Sequence, residues 1–322
     1  MRGERDVVHL ATILRGDEAH LVVRLDAYMV DVTRAARLPR WSGQGLPLSL
    51  KRLVDAFAAG DPGPMEAVRR LVEAARAGEH DELIEADAPS IVWLPPLVPS
   101  KMIAIGLNYW DHCREQHVEP PRQPVLFPKW PNALNAHRRP IVLPEGSTQV
   151  DFEAELAVIV GRRCKGLPAE RALEAVFGYT TFNDVTARDF QKGDGQWGRG
   201  KSQDTFAPVG PWVATADEIA DPQALRIACR VNGVTYQAST TAEMIFPVRE
   251  LIAFIARGIT LLPGDLIATG TPHGVGVYRT PQVFLRSGDQ VEVEIERIGR
   301  LVNPVVAPGE AGMLELPSRW PL

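Results

Sequence analysis

Cysteine is scarce in this sequence. The 322 residues hold three, Cys113, Cys164 and Cys229, far apart and with no Cys-x-x-Cys pair. That spacing excludes a disulfide scaffold and a thiolate zinc site, and suits a reducing compartment. Long apolar runs are also missing: nothing approaches the roughly 18 residues needed to span a bilayer. The one N-terminal candidate, residues 7–14, is interrupted by His9 and runs into Arg15-Gly16-Asp17. A secretory leader needs a longer apolar stretch and a small-residue cleavage site. The segment is therefore read as a strand entering a hairpin, and a cytoplasmic protein is expected, with no membrane partner. Positive charge is not in excess either, since 35 Lys and Arg stand against 40 Asp and Glu for a net charge of −5. Without a basic stripe to neutralise phosphates, nucleic acid is excluded as a partner.

What remains is a globular composition, 45% hydrophobic and 23% charged, in a chain long enough for two domains at about 150 residues each. Residues 1–95 read as a small N-terminal α+β domain. Its strands, 7–14 and 21–32, flank the turn, and its helices, 48–59 and 65–77, are separated by Asp61-Pro62-Gly63-Pro64. Pro95, Pro96 and Pro99 stiffen the backbone and block helix, which places the boundary there and a second domain over 96–322. Beyond it come short strands, 102–105, 154–160, 265–269 and 291–297, the last alternating Val291, Val293, Ile295 with Glu292, Glu294, Glu296. Helices are fewer, 170–176 and 248–257. The expected class is mainly β or α+β, with a barrel or rolled sheet.

Five constellations carry possible chemistry. Gly195 with Gly200-Lys201-Ser202 matches the spacing of a phosphate-binding loop, yet no apolar strand precedes it and Pro208 and Pro211 bar a helix after it. The nucleotide reading is rejected on those grounds. Glu153 and Glu155 are two residues apart in a strand and so share a face, which continues as Ala157 and Ile159. At 4 Å and an effective dielectric of 20, two such charges repel by about 4 kcal/mol. A divalent cation would relieve this, and all-oxygen ligation favours Mg²⁺, Mn²⁺ or Ca²⁺; a solvated strand edge is the other reading. Asp184, at the end of the strand read over 179–182, is a candidate third ligand or a turn cap. His112 and Glu115 would be neighbours on a short helix capped by Asn108 or Asp111, either a general-base dyad or a surface ion pair. The loop from Thr269 to Gly276 is rich in glycine, hydroxyls and free N–H groups, enough to hold a carboxylate or merely to turn.

In this order, these segments resemble the fumarylacetoacetate hydrolase family, acylpyruvase and 2-hydroxyhepta-2,4-diene-1,7-dioate isomerase branch, from about Lys101 to Val305. The likeness rests on GLNYWDHCRE, DFEAELAVIVG, GYTTFNDVTARDFQ, GKSQDTFAPVGPW, VNGVTYQ, LLPGDLIATGTPHGVG and SGDQVEVEIERIGRLVNPV. It implies a mixed β-sandwich roll with Mg²⁺ or Mn²⁺ (Ca²⁺ in a crystal) held by Glu153, Glu155 and Asp184. It also implies a 2-oxo acid on that metal with Arg188, Gln191, Lys201 and Thr271 around it, a His112–Glu115 dyad, and a homodimer. The implied reaction is hydrolysis of a C–C bond in a 2,4-dioxo acid, with Lys201 and the dyad catalytic. The alternative is isomerisation or decarboxylation of unsaturated or dicarboxylic 2-oxo acids; a different class is a silent, metal-stabilised binding protein. Residues 108–120, polar and poor in apolar anchors, are expected to form a mobile lid.

Overall fold

Turn chemistry at Gly16 and Asp26 shapes the leading segment. Both have positive φ, 65° and 54°, which glycine and aspartate tolerate better than most residues. A computed structural model describes residues 8–80 and 82–310; Val7, the first residue of the expected hairpin strand, lies outside them. The hairpin is β1 (His9–Arg15) with β2 (Glu18–Leu25), and β3 (Tyr28–Asp31) follows. The single strand expected over 21–32 is thus two, because Asp26-Ala27 reverses the chain between Leu25 and Tyr28. Helix α1 (Leu50–Ala59) starts at Ser49, whose side chain accepts from Arg52 N, and stops at Gly60 in the left-handed region. Helix α2 (Gly63–Arg76) follows the Asp-Pro-Gly-Pro turn. Leu50, Leu53, Val68 and Leu71 of these helices cover Leu10, Leu21 and Val23 of the strands.

The remaining elements that matter to the site are β4 (Met102–Gly106), α3 (Trp110–Gln116), β5 (Val125–Lys129), β6 (Ala154–Val160), β7 (Val176–Asn183), α4 (Arg188–Gly193) and α5 (Trp197–Lys201). After them come β8 (Ala207–Thr215), β9 (Arg226–Val231), β10 (Val234–Thr240), α6 (Val248–Gly258), β11 (Leu266–Ala268), β12 (Gln290–Ile295) and β13 (Gly299–Val306). The larger sheet, of 12 strands, runs β3-β2-β1-β8-β7-β6-β11-β4-β5 along its main path. It passes from the leading segment into the rest of the chain where Leu10 pairs with Val213. The second sheet, β10-β9-β12-β13, packs against it. This mainly β, α+β architecture is the expected class. Strand β6 is buried on both faces. Ile159 joins the cluster under α1 and α2, while Leu156 and Val158 join the larger core.

The helix expected over 170–176 is instead a run of 3₁₀ turns, Ala169–Ala175. Helix α6 forms as expected; Leu251, Ile252 and Ile255 are buried, each worth about 1.5–3 kcal/mol relative to exposure. No helix among the described residues is long and apolar enough to cross a membrane.

Candidate active site

The register of three central strands assembles the site. Ala154 on β6 faces Asn183 on β7, and Asp184 N, one residue on, donates to Glu153 O at 2.9 Å. On the other side Ala157 pairs with Ala268 of β11. The 269–276 loop therefore leaves its strand beside Glu155. Glu153, Glu155 and Asp184 come together, all buried, with one carboxylate oxygen from each within 4.8 Å of the others. The spacing argument for the two glutamates and the proposed third residue meet in this cluster.

The three carboxylates are not equivalent. Glu153 faces Lys201 Nζ at 2.7 Å and Arg188 Nη2 at 2.6 Å. Burial opposes its charge, but these cations prevail and hold it down at about 2. Asp184 receives Lys201 Nζ at 2.7 Å and Lys129 Nζ at 2.5 Å, one on each oxygen. Glu155 accepts one backbone bond, from Gly270 N at 2.8 Å. Burial, with Asp184 and Glu153 nearby, pushes its carboxyl well up. Lys201 is held above its ordinary value by Asp184 and Glu153 despite burial, whereas burial wins at Lys129 and lowers it.

Those positions fit a divalent ion. Counting Asp151, four buried carboxylates oppose three buried cations, Lys129, Arg188 and Lys201. A hard cation on Glu153, Glu155 and Asp184 would outweigh the unbalanced carboxylate and relieve their mutual repulsion, and all-oxygen donors suit Mg²⁺, Mn²⁺ or Ca²⁺.

Of the other predicted residues, His112, Arg188, Gln191 and Thr271 line the same cavity as the two glutamates, while Glu115, Asp184 and Lys201 stand behind that lining, bonded to His112 and Glu153 or to each other. The cavity measures about 350 Å³. His112 Nδ1 lies 3.0 Å from Glu115 Oε2, and Glu115 Oε1 accepts from Gly274 N at 2.8 Å. The dyad geometry is thus present. Neither Asn108 nor Asp111 caps α3, since Tyr109 occupies the N-cap position and no side chain caps the helix. Asn108 bridges to Thr269 O and Phe246 instead, and Asp111 to Ser239 Oγ and His273 Nδ1. Residues 108–116 are thus held by polar contacts that the expectation of a mobile lid did not include. The Thr271 hydroxyl donates to Ala154 O and accepts from Gln237 Nε2.

The glycine-rich loop does hold carboxylates, but those of the protein itself. Gly270 N serves Glu155, Gly274 N serves Glu115 and Gly276 N serves Asp151. Gly270 has φ +98°, and a Cβ there would come within 2.8 Å of Asn108 Cβ; one on Gly276 would meet Val283 O at 1.8 Å. Both glycines are required by close approach. Lys129 and Asp151 are the residues the sequence reading left without a role. Asp151 accepts from Arg188 Nε at 2.9 Å. For Lys129 a signal existed, since it shares a strand face with buried Phe127. The rejected phosphate-loop match, Gly195–Ser202, is a turn and the short helix α5, entered from α4 and not from a strand.

Residues 101–306 match the family model for the fumarylacetoacetate (FAA) hydrolase C-terminal domain. A mitochondrial oxaloacetate tautomerase of Bos taurus is 48% identical over 219 residues, covering 67% of this chain and 70% of that one. Among solved structures, a fumarylacetoacetate hydrolase from Exiguobacterium antarcticum superposes with a TM-score of 0.76 at 34% identity, over 93% of this chain and 99% of its own. A 5-carboxymethyl-2-hydroxymuconate delta-isomerase from Mycobacterium smegmatis gives 0.70 at 34% identity, over 94% and 100%. With the site built on matching segments and the likeness spanning the leading residues as well, this chain belongs to the fumarylacetoacetate hydrolase family.

Proposed function

We propose that the protein is a metal-dependent enzyme that moves a proton at the carbon beside the keto group of a dicarboxylic 2-oxo acid, a tautomerase or isomerase of the oxaloacetate type. The observation that carries this is the single cavity in which His112, paired with Glu115, faces the Glu153 and Glu155 carboxylates. Proton abstraction beside a ketone needs a base at the carbon and charge stabilisation at the oxygen. Glu153, Glu155 and Asp184 would hold Mg²⁺ or Mn²⁺, which when bound supplies Lewis-acid stabilisation of the developing oxyanion. Glu115 keeps His112 Nδ1 engaged, which leaves Nε2 to take the proton from C3 and return it to the oxygen. Arg188 and Lys201 add positive charge around the substrate's carboxylate and oxyanion. Hydrolysis of a 2,4-dioxo acid would further require a water fixed between the dyad and a distal carbonyl. The likeness to a tautomerase and a delta-isomerase supports proton transfer over that reaction.

The test uses protein loaded with Mg²⁺. Enol and keto oxaloacetate are followed by ultraviolet absorbance, beside an acylpyruvate hydrolysis assay. Tautomerisation should dominate and stop on chelation. A higher kcat/KM for acylpyruvate cleavage would return the assignment to a C–C hydrolase.

A further inference from the structure

The rim of the cavity holds a cation that the chemistry above does not use. Lys192, on α4, lines the cavity together with Gln116 and Tyr278. Its Nζ lies 5.9 Å from the centroid of the Tyr278 ring, and that ring stands 6.0 Å from the His112 imidazole. Tyr278 thus neighbours both the lysine and the dyad, fixed by its hydroxyl donating to Gln116 Oε1 at 2.9 Å.

The nearby acids are committed elsewhere. Asp189 on the same helix is held by Ser147 Oγ and Thr148 N, and Asp194 by Arg199. Asp151 and Glu153 are taken by Arg188 and Lys201. Among the described residues, no carboxylate forms an ion pair with Lys192. Among the described residues its ammonium meets the aromatic face of Tyr278, an arrangement that holds an ammonium in place without neutralising it.

From this placement we infer that Lys192 is a specificity-determining residue, the subsite for the distal carboxylate of the substrate. The inference rests on the 2-oxo acid reading and deepens it. The inner end of the substrate meets Arg188, and its far carboxylate meets Lys192 at the mouth, with the C3 carbon between them beside His112. A monocarboxylic 2-oxo acid fills the inner part alone and gains nothing from the rim. Because Lys192 is exposed, its attraction is screened by salt, which supplies a second signature.

The test compares oxaloacetate with 2-oxobutanoate, each followed by deuterium exchange at C3 in the Mg²⁺-loaded protein by NMR. Lys192→Gln should raise KM for oxaloacetate about threefold to tenfold, as loss of one exposed charge-assisted contact implies. It should leave kcat and the 2-oxobutanoate constants unchanged, and Lys192→Arg should recover most of the loss. The oxaloacetate KM should rise with ionic strength in the unaltered protein and less steeply in Lys192→Gln. Exchange of both substrates with the diacid preference intact in Lys192→Gln overturns the subsite alone. No exchange of either substrate by the unaltered protein overturns the 2-oxo acid reading, and the subsite with it.

Discussion

Glu155 has the least support of the three clustered carboxylates, with one N–H bond and two like charges beside it. Glu155→Gln should remove repulsion and keep the fold, so the melting temperature without metal should hold or rise. At a hundred times its Kd, Mg²⁺ stabilises a protein by about 2.7 kcal/mol, roughly 4 °C for a chain of this size. That shift should appear in the unaltered protein and vanish in the variant, as read by thermal melts with Mg²⁺ and with chelator. A second residue, remote from the site, sets an acid response. His137 Nδ1 accepts from Val302 N at 3.0 Å, and burial with Arg138 and Arg300 nearby lowers its pKa from 6.5 to about 3. The unfolded chain takes up the proton below 6.5 while the folded chain resists until about 3. Its contribution is therefore full above that window and is lost as pH falls through it. Between pH 6.5 and 5 the loss should be about 2 kcal/mol, read by urea denaturation, and His137→Gln should flatten the slope.

At the level of elements, α3 shows why polar segments mislead. Its sequence offers few apolar anchors, yet Tyr109 and Cys113 are buried. Asn108, Asp111, Arg114, Glu115 and Gln116 reach five different backbone or side-chain partners. Hydrogen exchange across 108–118 should accordingly be slow with and without oxalate; exchange at the rate of an unstructured peptide in its absence would restore the lid. His112→Ala should lower kcat by about 10²–10⁴, the usual worth of a positioned acid–base group. Oxalate affinity with Mg²⁺ should change far less, because the dyad touches the reacting proton and the carboxylate cluster lies elsewhere in the cavity.

Across the whole molecule, the leading segment is joined to the catalytic sheet by backbone pairing and shared core. β1 covers β8, and Ile159, Phe177 and Val213 pack with Leu53 and Leu71 in one cluster. Deleting residues 1–95 should therefore expose a sheet edge and an apolar face together. The shortened chain should aggregate or melt without a cooperative transition in circular dichroism. A soluble, cooperatively folding product would show that the two parts are separable.

Local pattern in the sequence sufficed for β6, for α6 with its apolar face, and for the shared face of Glu153 and Glu155, because periodicity of 2 or 3.6 is written into neighbouring residues. It also exposed the false phosphate loop, since the required strand and helix are absent around it. What it could not contain was which strands lie side by side. That Asp184 completes the cluster, and that Lys129 closes on it from a strand 55 residues away, follows from the β6–β7 register and the packing of β5. The loop 269–276 shows the same limit. Its N–H groups were visible as free donors, but their acceptors Glu115, Asp151 and Glu155 are supplied by long-range folding. Side-chain chemistry is local, whereas the distance between two charges, and so their protonation, is decided only when the sheet closes.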